Sequence, residues 1–181
     1  MNQLRTELIK HDEWNYRTFA AIIAAFGYPQ SYLDVGCGTG IMVKLARQMG
    51  IVAAGIDLID HPEGFLIKHD IREPFNLDHQ FQFATCIEVM EHIEQPFDGV
   101  AVESIANHLL PGGRLIFTAA GPGQGGIDHV NCQSGVYWRS KFYEHGVSYR
   151  DDLTDLAQRA LTLIPSPMRP YLIGNVQVFD K

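Results

Sequence analysis

Cysteine is scarce in this chain. It occurs only at Cys37, Cys86 and Cys132, an odd number without CxxC spacing, which suits neither a disulfide-stapled scaffold nor a closed zinc site. Long apolar runs are missing too: the longest, Phe19 to Phe26, has 8 residues, far below the roughly 18 to 20 that cross a bilayer. The N-terminus carries no signal-peptide pattern, so the expectation is a soluble, cytoplasmic chain with no membrane partner. Charged residues make up only 19%, and positive ones are the scarcer: 14 Lys and Arg against 21 Asp and Glu leave a net charge of −7. A field of that sign repels phosphate backbones, which disfavours nucleic acid as a partner. Internal repeats and low-complexity tracts are absent as well.

Hydrophobic residues are present at 46%, enough for a sizeable core. With about 150 residues per domain as a guide, 181 residues are read as one domain over 1–181. Glycine is in modest excess at 17 residues, and its clusters organise the rest. Phe19, Ile22, Ile23 and Phe26, one turn beyond Trp14, mark an amphipathic helix over 6–26 that Gly27 and Pro29 end. Tyr32 to Val35 is a short strand running into Gly36, Gly38 and Gly40, and Ile41 to Met49 has helical spacing. Ile51 to Ile56, Phe65 to Ile67 and Phe81 to Ile87 are further strands. Phe97, Val100, Ala101, Ile105 and Leu109 line one face of a helix that Pro111-Gly112-Gly113 stops, and Arg114 to Ala119 is strand five. A glycine-rich loop, Gly121 to Gly126, reads as mobile. Beyond it come a helix from Gly135 to His145, a strand over Val147 to Tyr149, and a helix through Leu153, Leu156, Ala157, Ala160 and Leu161 halted by Pro165 and Pro167. Val176 to Phe179 is the last strand. Alternating helices and strands predict an α/β fold with a mostly parallel sheet.

The turn after the first strand reads Leu33-Asp34-Val35-Gly36-Cys37-Gly38-Thr39-Gly40. A glycine turn that leaves a strand and opens a helix gathers backbone N–H groups at one spot and lets a ligand approach the chain closely. A dinucleotide fingerprint would be GxGxxG, but the third glycine here comes one residue early and position 41 is Ile. No Gly-Lys-Ser/Thr follows either, so the phosphate loop of NTPases is excluded.

An acidic residue two before GxGxG resembles the cofactor motif of class I S-adenosylmethionine-dependent methyltransferases. Three further stretches of this chain match that family in order: Gly55-Ile56-Asp57, 17 residues beyond Gly40, then His69-Asp70-Ile71, and Leu109-Leu110-Pro111-Gly112-Gly113-Arg114-Leu115. The resemblance implies a Rossmann-like fold with a seven-stranded sheet, helices on both faces and an antiparallel last strand. It further implies that Asp34, Gly36, Gly38 and Gly40 form the cofactor loop, that Asp57 holds the ribose hydroxyls, and that Asp70 with Ile71 meets the adenine. The end of strand four, with Ile87, would run beside the methionine part. The chain then divides into an N-terminal helix over 1–29 that could act as a lid with His11, Asp12, Trp14 and Tyr16, a cofactor-binding core over 30–120, and a substrate side over 121–181.

Strand four leads into Glu88-Val89-Met90-Glu91-His92. If the chain turns helical at Glu88, residues i, i+3 and i+4 share a face. Three readings stand side by side: Glu91 and His92 brace the loop; His92 is a general base for a substrate hydroxyl; or, as a resemblance of this ExxEH string to metal-using methyltransferases with a further histidine after strand five implies, Glu88, Glu91 and His92 hold a divalent metal together with His129. ExxEH resembles both ubiquinone-biosynthesis O-methyltransferases and small-RNA 2′-O-methyltransferases, and mixed carboxylate and imidazole ligands suit Mn, Fe or Zn better than Mg. Tyr137 and Trp138 could stack a ring or sugar face, or with Phe142 pack the helix on the sheet. The resulting expectation is methyl transfer from S-adenosylmethionine to a small or medium polar acceptor at oxygen, with catalytic roles for His92, Glu88 and His129. Alternatives are a nucleic-acid or protein methyltransferase, and a non-catalytic module that binds the cofactor and regulates a partner.

Overall fold

A computed structural model of the chain describes residues 2–164 and 169–181, with side chains at 12–164 and 170–181. The expected stop at Pro165 and Pro167 lies outside the described residues, as does the side chain of His11. Seven strands form one sheet: β1 Ser31–Val35, β2 Val52–Asp57, β3 Leu66–Lys68, β4 Phe81–Ile87, β5 Leu109–Thr118, β6 Ser148–Tyr149 and β7 Gln177–Asp180. The helices are α1 Asn2–Phe26, α2 Ile41–Gln48, α3 Gln95–Asn107, α4 Gly135–Glu144, α5 Asp151–Leu161 and α6 Arg169–Asn175. The strand order is β3-β2-β1-β4-β5-β7-β6. The pairs β3–β2, β2–β1, β1–β4 and β4–β5 are parallel, while β7 runs antiparallel to both β5 and β6.

Every residue of β1 is buried, as befits a central parallel strand covered on both faces. Side chains alternate between two cores. Leu33, Ala84, Leu115 and Phe117 face α3 and α4 through Ala101, Ile105, Trp138 and Phe142. Tyr32, Phe83, Ile116 and Val178 face the other helices through Phe19 and Ile22 of α1, Val43 of α2, Leu161 of α5 and Leu172 of α6. Strand order reverses between β1 and β4, and in open α/β sheets ligands bind in the crevice at the carboxyl ends of the strands flanking that reversal.

Three differences from the sequence expectation have physical causes. Leu109 belongs to β5 rather than to the preceding helix, and Pro111-Gly112-Gly113 lies inside the strand instead of before it. The pairing jumps from Phe81↔Leu109 to Phe83↔Arg114, so the extra residues are accommodated as an irregularity at the sheet margin. Helix α6 has no counterpart in the expectation; Pro170 falls in its first turn, where the missing N–H of proline is not needed. The 3₁₀ turn Met90–His92 replaces the helix expected from Glu88, since Glu88 itself takes a left-handed φ of 53°.

Candidate active site

Two clusters sit at the carboxyl ends of β1, β2 and β4. In the first, Gly36, Gly38 and Gly40 all have positive φ, at 74°, 56° and 75°, which turns the backbone sharply out of β1 before α2 begins. The Gly36 and Cys37 amides donate to the Ile56 carbonyl at 2.8 and 3.0 Å, fixing the turn to β2. The Gly38 amide donates to Asp57 Oδ2 at 2.8 Å, and the Ile59 amide donates to Asp57 Oδ1 at 3.1 Å. His61 Nε2 donates to the Gly38 carbonyl at 2.8 Å. Burial lifts the Asp57 carboxyl above its usual range, and the Gly38 amide opposes that shift. From α1, Asp12 accepts a hydrogen bond from the Thr39 hydroxyl, so the N-terminal helix is tied to the turn. Asp34 is 1% exposed, with Oδ1 bonded to the Thr85 hydroxyl and Oδ2 without a partner. Asp70 is a partly exposed carboxylate whose oxygens meet the Arg72 guanidinium at 2.6 to 3.0 Å, which holds its pKa below the ordinary value. Ile71 is buried in the core that faces α3 and α4, and Ile87, at the end of β4, is half-buried against the other core.

The second cluster begins at Glu88, whose amide donates to Thr118 Oγ1 at 2.9 Å and to the Thr118 carbonyl at 3.1 Å. A Cβ on Gly36 would stand 2.3 Å from a methyl of Val89, so the glycine turn and the Glu88–His92 segment are in direct contact and the position has no room for a side chain. Glu91 is fully buried, and neither carboxylate oxygen makes a well-formed hydrogen bond. The Glu91 main-chain carbonyl accepts the Val130 and Asn131 amides at 2.9 Å each. Those two bonds draw the segment after β5 across the end of β4 and bring His129 to His92, their rings 4.9 Å apart and nearly perpendicular. Ligand atoms of Glu91, His92 and His129 all lie within 4.8 Å of one another. Glu88 stands outside that group, because its left-handed backbone removes the shared helical face that the sequence suggested.

His92 Nδ1 lies 3.1 Å from the Asp128 carbonyl, and His129 Nδ1 lies 3.3 Å from the Gln124 carbonyl. A carbonyl only accepts, so each Nδ1 carries a hydrogen, and in the neutral ring that tautomer leaves Nε2 with its lone pair. Desolvation first and the neighbouring His129 second hold the His92 pKa below 6.5, so it is neutral near pH 7. Burial, reinforced by the adjacent Glu88, pushes the Glu91 carboxyl up to about 8.

Two residues in this cluster carry no sequence signal. The side chains of Gln124 and Asn175 pair head to tail at 3.0 and 2.9 Å, and Asn175 Nδ2 also reaches Glu88 Oε1 at 3.3 Å. Gln124 thereby fixes the 121–126 loop to α6 while its own carbonyl orients His129. A loop expected to be mobile is thus strapped down. Gly126 packs so closely on His129 that a Cβ there would come within 2.2 Å of the ring. Trp138 and Phe142 are core residues at 1% and 0% exposure, which settles them as packing, and the Tyr137 hydroxyl donates to buried Asp98 at 2.6 Å.

The comparisons with known proteins agree with this architecture. A methyltransferase-domain family model matches residues 11–161, and the chain belongs to the class I S-adenosylmethionine-dependent methyltransferases. A ubiquinone biosynthesis O-methyltransferase of Saccharophagus degradans is 30% identical over 100 residues, which cover 48% of this chain and 42% of that protein. Another, from Nitrosococcus oceani, is 28% identical over 132 residues, covering 65% of this chain and 50% of its own length. The chain spans about half the length of the curated relatives it matches. Among solved structures, a sugar N-methyltransferase from Streptoalloteichus aligns with a TM-score of 0.66 at 16% identity, covering 94% of this chain and 86% of its own. An amino pentose methyltransferase from Micromonospora echinaspora aligns with a TM-score of 0.64 at 16% identity over 98% of this chain and 91% of its own. These two likenesses are of fold. Among the described residues, no helix is long and apolar enough to cross a membrane.

Proposed function

We propose that this chain transfers the methyl group of S-adenosylmethionine to a hydroxyl of a small or medium polar acceptor. The observation that carries the reading is the contact between the two clusters: Val89 packs on Gly36, so a group held at the glycine turn lies next to the Glu91, His92 and His129 group. The residues suit the cofactor. Gly36, Gly38 and Gly40 expose the turn's backbone, Asp57 ends β2 as an acceptor for ribose hydroxyls, and Asp34 offers a buried oxygen without a partner. Asp70, Ile71 and Ile87 complete the adenine and methionine sides. Bound there, S-adenosylmethionine supplies an electrophilic methyl on a sulfonium.

The chain's own residues then deal with the acceptor's proton. A hydroxyl is a weak nucleophile until that proton leaves. His92 is neutral with a bare Nε2 and serves as the base, His129 sits against it, and Glu88 lines the side nearest Asn175. The ubiquinone-biosynthesis relatives act, by name, as O-methyltransferases, which supports oxygen as the acceptor atom. The net charge of −7 favours an uncharged small acceptor over a nucleic acid.

A second reading has its own observation. A fully buried carboxylate whose oxygens make no well-formed hydrogen bond, within 4.8 Å of two imidazoles, has the donor chemistry of a divalent cation site, and each ring is oriented through its far nitrogen by a backbone carbonyl. Glu91, His92 and His129 would hold the ion. It would lower the pKa of an acceptor hydroxyl, with Mn, Fe or Zn better suited than Mg.

Calorimetry tests both readings. S-adenosylhomocysteine should bind the chain; no binding would overturn the cofactor reading. Mn²⁺ should bind the parent and fail to bind His129→Ala. Equal behaviour of parent and variant would leave His92 as a base acting without metal.

A further inference from the structure

One fully buried carboxylate takes no part in the chemistry proposed above. Asp98 lies on α3, and three side chains from other elements converge on it. The Asn131 amide donates to Oδ2 at 3.1 Å, the Tyr137 hydroxyl donates to the same oxygen at 2.6 Å, and the Lys141 ammonium stands 3.0 Å from Oδ1. An ammonium and an amide nitrogen only donate, so each oxygen of Asp98 faces a group that needs an acceptor, which suits the ionised carboxylate. A buried charge has to be paired. Lys141 is the counter-charge, and Asp98 in turn holds the Lys141 pKa above its ordinary value.

Two of these contacts, to Tyr137 and Lys141, tie α3 to α4. The third leads to the proposed acceptor side. Asn131 belongs to the segment after β5 and is 2% exposed. Its side-chain oxygen accepts from Gln133 Nε2 at 2.9 Å, which leaves its amide nitrogen for Asp98. Its main-chain amide, with that of Val130, donates to the Glu91 carbonyl at 2.9 Å. The Asp128 carbonyl in the same segment lies 3.1 Å from His92 Nδ1. Asp128 itself has a left-handed φ of 58°, which costs energy for a residue with a side chain and persists only where the surroundings over-determine it. The anchored Asn131 side chain is one such constraint.

We propose that Asp98 is a positioning residue for the acceptor side: through Asn131 it holds 128–131 across the end of β4, and so sets His92 against the Asp128 carbonyl and beside His129. The proposal rests on the reading of His92 and His129 as the groups that meet the acceptor. Asparagine at position 98 would keep the shape and lose the role, because it replaces one oxygen with an N–H donor set among donors. A buried Asn131 amide without its acceptor is costly. The segment then relaxes its turn at Asp128, and the hydrogen bond that orients His92 goes with it.

The experiment is long-range proton–nitrogen NMR of the imidazoles in the full chain, with metal removed by chelator, at about pH 8, above the ordinary imidazole pKa. It reads which ring nitrogen carries the hydrogen. In the parent, His92 should be in the Nδ1–H form. Asp98→Asn should keep the parent's circular dichroism and turn His92 into a mixture of tautomers. Asn131→Ala removes the link without touching the contacts between α3 and α4; it should give the same mixture, and it decides the matter if Asp98→Asn does not fold. Tyr137→Phe leaves the bond from Asn131 to Asp98 in place and should keep the parent's tautomer. S-adenosylhomocysteine affinity by calorimetry should stay within a few-fold of the parent in all three. An unchanged His92 tautomer in folded Asp98→Asn and Asn131→Ala, or the same mixture in Tyr137→Phe, would overturn the positioning role. Methyl transfer undiminished in His92→Ala would instead overturn the acceptor reading, and with it the purpose of the Asp98 link, while the tautomers still report whether the link exists.

Discussion

The two halves of the site are built in opposite ways. The glycine turn is local: Asp34 to Gly40 is one stretch of chain, and its partner Asp57 arrives on the next strand through main-chain bonds at Ile56. The proposed acceptor side is assembled from distant pieces, with Glu91 and His92 after β4, His129 after β5 and Asn175 at the end of α6. The cofactor half can therefore persist as a compact motif, whereas the acceptor half depends on the tertiary bonds from Val130 and Asn131 to the Glu91 carbonyl.

The largest effect should come from the composite half. His92→Ala should lower methyl transfer by about 100-fold or more, the range of a lost general base, while leaving S-adenosylhomocysteine affinity within a few-fold of the parent. A matching loss of cofactor binding would erase the division between the halves. Next, Asp57→Ala should weaken S-adenosylhomocysteine binding by about 30-fold, because charged hydrogen bonds contribute about 1.5 to 3 kcal/mol; calorimetry reads it.

The seam between the halves is tested by stability. Gly36→Ala places a Cβ 2.3 Å from Val89 at a φ of 74° and should cost about 2 to 4 kcal/mol in urea unfolding, from overpacking together with left-handed strain. Adding Val89→Ala should recover the packing part and leave about 1 to 2 kcal/mol of backbone strain. No recovery would mean that the two segments are not coupled there.

A pH-dependent effect concerns Glu91, whose folded-state carboxyl lies at about 8 against an ordinary 4.5. The folded state therefore binds the proton more tightly than the unfolded state does. The associated stability is complete below about pH 4.5 and is lost as pH rises through 8. Glu91→Gln should accordingly gain on the parent in thermal midpoint between pH 5 and pH 8. Saturating Mn²⁺ should reverse that ranking if the cation reading holds, since an ion stabilises the carboxylate form.

Much of the fold was legible because its determinants are local. A short, mostly apolar run placed β4 at Phe81–Ile87, and the glycine string located the turn after β1. The antiparallel β7 followed from the family resemblance. Reading failed where a residue behaves against its type. Glu88 adopts a conformation that glycine would ordinarily fill, and Pro111-Gly112-Gly113 extends a strand rather than stopping a helix.

Sequence by itself determined the sheet, the glycine turn and the family, since backbone preference and hydrophobic period act over a few residues. It also named His129 as a partner for His92. Only the tertiary structure decided that Glu88 leaves the ligand group, that Gln124 and Asn175 orient what remains, and that Thr85 lies under Asp34. Those outcomes turn on side-chain pairs 51 to 87 positions apart, or on a single dihedral, and no periodicity along the chain records either.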